Sequence, residues 1–76
     1  MTRIALTGWR HGFRKVELTK ELRALLGPGG LAAAKLMTDR LLAGEVIALE
    51  FQDVTEARSF LARVKALGVD GHELLP

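Results

Sequence analysis

The sequence predicts an α+β fold, a two-layer sandwich of one three-stranded sheet and three helices in the order β-α-α-β-α-β. Two observations predict it. Three stretches carry apolar residues at helical spacing, and three short runs at the start, middle and end alternate as strands do. Glycine or proline punctuates the joints between them, which fixes the order of elements.

The first strand is read at Arg3–Trp9, with Ile4 and Leu6 on one face and Ala5, Thr7 and Trp9 on the other. Gly8 and Gly12 bracket Trp9, Arg10 and His11 as a turn. Trp9 reads as a ring covering one edge of a small core, with an exposed partner anchor as the alternative. The first helix follows, from about Phe13 to Leu26, with Gly12 as a tolerable N-cap and a core stripe at Leu18, Leu22, Leu25 and Leu26. Gly27 is expected as a left-handed C-terminal residue, and Pro28 stops the helix.

Gly29 and Gly30 then turn the chain into a second helix, about Leu31 to Leu42. Ala34, Met37 and Leu41 line one side of it, and its three consecutive alanines permit close approach to a neighbour. Gly44 ends that helix. Glu45–Phe51 alternates, with Ile47, Leu49 and Phe51 inward, and reads as a central strand. Asp53 followed by Glu56 is a capping box opening a third helix, on which Ala57, Phe60, Leu61, Val64 and Leu67 form the apolar face. Gly68 closes it, and Val69–Leu75 supplies the last strand.

Size and composition narrow the function. A chain of 76 residues is one domain, spanning 1–76, and at this length only ~60% of the unfolded surface is buried, which argues against a large enclosed catalytic cleft. Cysteine is absent, so disulfides, thiolate metal sites and thiol nucleophiles are excluded. The longest uncharged stretch, Ala24–Ala34, is broken by glycine and proline and falls short of the ~20 residues a membrane span needs. No apolar run near the N-terminus resembles a signal peptide, so the expected location is the cytoplasm, with no membrane role.

Net charge is +2 but unevenly placed. Residues 1–35 hold seven cations and two acids, a balance of +5, and residues 36–76 hold four cations and seven acids, a balance of −3. The first half therefore favours an acidic partner, whether a protein face or a phosphate backbone.

The first helix adds a second face. Val16, Lys20 and Arg23 recur nearly opposite its leucine stripe, so a small apolar residue stands between cations on the outer surface. Lys15 and Thr19 adjoin it, and Leu31 and Lys35 share the outer side of the second helix. Lys15, Val16, Thr19, Lys20, Arg23, Leu31 and Lys35 are the expected partner-binding residues. Clustered cations steer an acidic partner into encounter, and Val16 and Leu31 supply the dry contact that slows dissociation.

Catalysis finds no such constellation. His11 and His72 lie near opposite ends without ligand spacing, Ser59 is a lone helix serine, and no Walker or dinucleotide fingerprint occurs. The chain is expected to be non-catalytic, with no cofactor and no metal.

The run Lys15-Val16, Lys20, Arg23, a glycine turn, then Leu31, Ala34 and Lys35 resembles the C-terminal domain of the bacterial ribosomal stalk protein, the L-seven/L-twelve family. Ala57, Phe60, Val64 and Gly68 extend the resemblance through that family's third helix, so that it covers about Lys15 to Leu75. It implies the same element order and a basic face that docks translational GTPases, elongation factors Tu or G among them. Two features depart from the family pattern. Thr19 replaces a branched apolar residue, and the glycine loop is longer by about one residue. The chain also shows neither the family's N-terminal dimerisation segment nor its hinge, so a stand-alone module is expected.

Two further readings stand beside it. A helix, a GxxG loop and a helix also resemble a KH domain, in which Gly27, Gly29 and Gly30 would hold a nucleic-acid phosphate. The same superfold resembles the ClpS adaptor, whose acidic and histidine pocket residues have no counterpart here. An apolar content of 49% in so small a domain also makes a homo-oligomer an option.

Overall fold

The computed structural model describes residues 1–74, and the elements run β1 (Thr2–Trp9), α1 (Lys15–Leu26), α2 (Leu31–Leu42), β2 (Ile47–Phe51), α3 (Val54–Ala66) and β3 (Val69–Leu74). This is the β-α-α-β-α-β order, an α+β fold with one three-stranded antiparallel sheet and three helices. The expected end of the last strand, Leu75, lies outside the described residues.

The strand order is β2-β1-β3, which places β1 in the centre and corrects the reading of β2 as a central strand. Alternation reports only that one face is buried, and Ile47, Leu49 and Phe51 are indeed the buried face of an edge strand. Strand β1 shows its central position on its outward side, where Ala5 is only 4% exposed between cross-strand neighbours Ala48 and His72. Trp9 is the last residue of β1, paired with Val69, so the turn begins after it.

Helices α2 and α3 lie on one face of the sheet, and α1 packs against both. Their shared core contains Ile4, Leu6, Leu18, Leu22, Ala34, Leu41, Phe60, Val64 and Val69, with Met37 and Leu61 partly buried against it. The rings of Phe51 and Phe60 meet at 5.5 Å between centroids in a tilted pair. Two of the four expected leucines of α1 are not core. Leu25 is 38% and Leu26 40% exposed, because the last turn of α1 runs beyond the core and Leu26 lies under the loop, against Gly30. Of the three alanines of α2 only Ala34 is buried; Ala32 and Ala33 face outward.

Helix ends follow local chemistry with two departures. The N-cap of α1 is Arg14, not Gly12, and no side chain caps it. Backbone contacts hold that end instead: the amides of Arg10 and Arg14 donate to the carbonyls of Gly68 and Leu67 at 2.8 and 2.9 Å. Gly68 is required there, since its φ is +95° and a Cβ on it would stand 2.9 Å from the Phe13 Cα. At α3, Asp53 Oδ1 accepts from the Thr55 amide at 2.9 Å and Glu56 makes no return bond, so Asp53 is a simple N-cap in place of the expected capping box.

Ion pairs tie the layers together. Arg63 of α3 meets Glu21 of α1 at 2.9 Å, Arg58 of α3 meets Glu73 of β3 at 2.9 Å, and Arg10 meets Asp70 at 3.0 Å. The acids of the described residues without a cation within 4 Å are Glu45, Glu50 and Asp53, on β2 or its two flanking turns, and Glu56 in the first turn of α3.

Candidate functional site

The antiparallel α1–α2 hairpin forms the site. Helix α1 ends where the Gly27 amide donates to the Arg23 carbonyl at 3.0 Å, with Gly27 at φ 80° and ψ −168°. That is a positive φ, as expected, but in the extended region open almost only to glycine rather than in the left-handed helical one. Pro28 and Gly29 are the central residues of a turn closed by the Gly30 amide on the Gly27 carbonyl at 3.1 Å, and Gly29 takes φ +83°, as a type II turn demands at that position. The tight turn returns α2 alongside α1, so the outer faces of both helices form the two walls of one groove.

This groove has a volume of about 390 Å³. Lys15, Val16, Thr19, Lys20 and Arg23 line it from α1, and Leu31, Lys35 and Asp39 line it from α2. All seven residues singled out in the sequence therefore meet in one depression. Val16 is 64% and Leu31 40% exposed, large apolar side chains left uncovered between charged ones.

Thr19, the departure from the stalk pattern, has a structural role. Its hydroxyl shares a 2.8 Å hydrogen bond with that of Thr38, and Thr38, fully buried, is also within 3.0 Å of the Ala34 carbonyl. The Ala34 carbonyl satisfies the buried Thr38 hydroxyl, and the bond to Thr19 pins α1 to α2 beneath the groove. Spacing alone does not single out Thr38, because a threonine inside an apolar helix face is ordinarily a neutral filler.

Charge is distributed unequally along the groove. At its open end, Lys15 Nζ lies 3.5 Å from Asp39 Oδ1 across the two helices. In the middle, Lys20 lies 3.8 Å from Glu17, one turn away on α1. Arg23 and Lys35 have no carboxylate within 4 Å among the described residues. Asp39 is the one lining residue not singled out beforehand. It was readable, since Leu31, Lys35 and Asp39 recur at i, i+4 and i+8 on one helix face.

Of the loop amides, that of Gly27 donates to Arg23 and that of Gly30 to Gly27, and Pro28 has none to offer, while no side chain caps the N-terminus of α2. Lys20, Arg23, Ala24, Gly27 and Pro28 border a shallower depression beside the loop.

A third depression lies on the other flank of α1, lined by Glu21, Ala24, Leu25, Phe51, Thr55, Glu56, Ser59, Phe60 and Arg63. Here Ser59 accepts from Arg63 Nη1 at 2.8 Å, and Asp53 nearby in sequence caps its own helix. Trp9 lies outside all three depressions; it is 46% exposed and its ring rests beside Phe13 at 6.1 Å between centroids. His11 and His72 are exposed, and among the described residues no three His, Cys, Asp or Glu side chains gather to hold a metal. No described helix is long and apolar enough to cross a membrane.

No protein-family model, curated protein or solved structure matches this chain, so the site is read from its own residues.

Proposed function

We propose that the chain is a non-catalytic protein-docking module of the cytoplasm whose α1–α2 groove takes an acidic partner. The observation that carries the reading is the convergence of Lys15, Val16, Thr19, Lys20, Arg23, Leu31 and Lys35 on one groove with an uncovered apolar floor. Arg23 and Lys35, without acidic partners of their own, attract a carboxylate face, and Val16 with Leu31 offers the area that water leaves on docking. The resemblance to the ribosomal stalk C-terminal domain supports a translational GTPase, elongation factor Tu or G, as that partner.

An amide NMR titration of the labelled protein tests this, with elongation factor Tu or G in one series and a short single-stranded RNA in another, each at two salt concentrations. The expected result is shifts confined to Val16, Lys20, Arg23, Leu31 and Lys35 on adding the GTPase, lost in Lys20→Glu. Strong shifts of Gly27–Leu31 with RNA, falling steeply with salt while the GTPase moves nothing, would replace protein docking by phosphate binding.

A further inference from the structure

The groove has two ends of different charge, and one residue makes them differ. Along α1 it runs from Lys15 to Arg23, about 12 Å at 1.5 Å per residue. At the open end Asp39 faces Lys15 at 3.5 Å, and both side chains are more than half exposed. A pair so exposed holds its geometry weakly, but its charges cancel towards an incoming ligand whether or not the bond persists. Towards the loop, Arg23 and Lys35 carry positive charge with no carboxylate within 4 Å among the described residues, and Lys20 has only a loose contact at 3.8 Å to Glu17, which lies outside the groove.

Resting on the docking reading above, we infer that Asp39 sets the direction of the bound segment. The occupant is a protein segment with one bulky apolar residue seated between Val16 and Leu31 and its carboxylates gathered on the side towards Arg23 and Lys35. A carboxylate at the other end meets the neutralised Lys15–Asp39 pair, gains no net attraction, and is disfavoured relative to one at the Arg23 end. Asp39 therefore adds specificity rather than affinity, by penalising a wrong partner.

About four extended residues span the groove, so short peptides probe both ends. Two peptides of identical composition and net charge are compared by NMR titration at low salt, each with a single central leucine. The block peptide has four glutamates on one side of the leucine and four serines on the other; the split peptide has two glutamates and two serines on each side, with the glutamates adjacent to the leucine. The native protein is expected to bind the block peptide ~2- to 5-fold more tightly, the effect of one exposed charge contact that Asp39 withholds from the split peptide.

Asp39→Asn is expected to erase that preference, by tightening the split peptide and leaving the block peptide nearly unchanged. Lys15→Gln, which leaves Asp39 without its counter-charge, is expected to widen the preference. Equal affinities in the native protein, or a preference that survives Asp39→Asn, overturn the inference while leaving docking intact. If neither peptide shifts the Val16 and Leu31 amides, the docking reading fails and the inference falls with it. Thermal melts followed by Trp9 fluorescence establish that each variant is folded.

Discussion

Helix α1 has a groove on each flank, both of about 390 Å³, and the two are built on opposite terms. On the α3 side, the floor includes Phe60 and Phe51 of the core, and the one cation of the rim is satisfied: Arg63 reaches Glu21 at 2.9 Å and Ser59 at 2.8 Å, and its guanidinium lies 5.9 Å from the Phe60 ring centroid, while Glu56 has no cation within 4 Å. On the α2 side, the floor is two exposed aliphatic residues over a threonine pair, and Arg23 and Lys35 are left without acids. A seam that pairs its own cation over core rings is complete as structure. A seam that leaves same-sign charges around uncovered apolar surface is complete only with something bound.

If that distinction is correct, mutations on the two flanks should separate stability from binding. The largest stability effect is expected from Phe60→Ala, which removes a ring 1% exposed at the junction of α3 with the sheet. A loss of about 3–5 kcal/mol is expected, enough to unfold much of a domain this small, seen as collapse of the thermal transition. Thr38→Val is intermediate. It deletes the Thr19–Thr38 bond while keeping shape, and since Thr19 retains the Lys15 carbonyl at 3.1 Å, the loss should be near ~1 kcal/mol in urea unfolding. It should also loosen the α1–α2 angle and weaken docking.

Arg63→Ala should cost under about 1 kcal/mol in the same measurement, because its ion pair is solvent-exposed, with no change in any docking shift. Lys20→Glu is expected to have the smallest effect on stability, within about 0.5 kcal/mol, yet to abolish docking. A Lys20→Glu protein that docks normally, or an Arg63→Ala protein that does not, would invert the assignment of the two flanks.

The elements and the basic site were legible because each rests on local spacing. The hairpin walls follow from residues three and four apart on two helices, and a glycine-proline turn short enough to make them antiparallel. What escaped the sequence depends on neighbours far along the chain. The edge position of β2 is decided by which strand β1 pairs with on each side, which alternation does not encode. Leu25 and Leu26 fall on the right helical face but past the end of the core they were expected to enter. Thr38 is buried because another threonine faces it from α1, a coincidence across 19 residues. Asp39 was visible as a position but not as a partner of Lys15, since that pairing needs the two helices to be aligned first.

The three unpaired acids on β2 and its turns bear on growth of the sheet. An edge strand exposes a row of backbone donors and acceptors on which another strand can build. Were two copies to meet along β2, Glu45, Glu50 and Asp53 would bring negative charge to both sides of the junction. Extension of the sheet into stacked copies is thus opposed where the backbone would otherwise invite it. The uneven charge of this chain has two opposite uses, recruiting at the helical hairpin and insulating at the rim of the sheet.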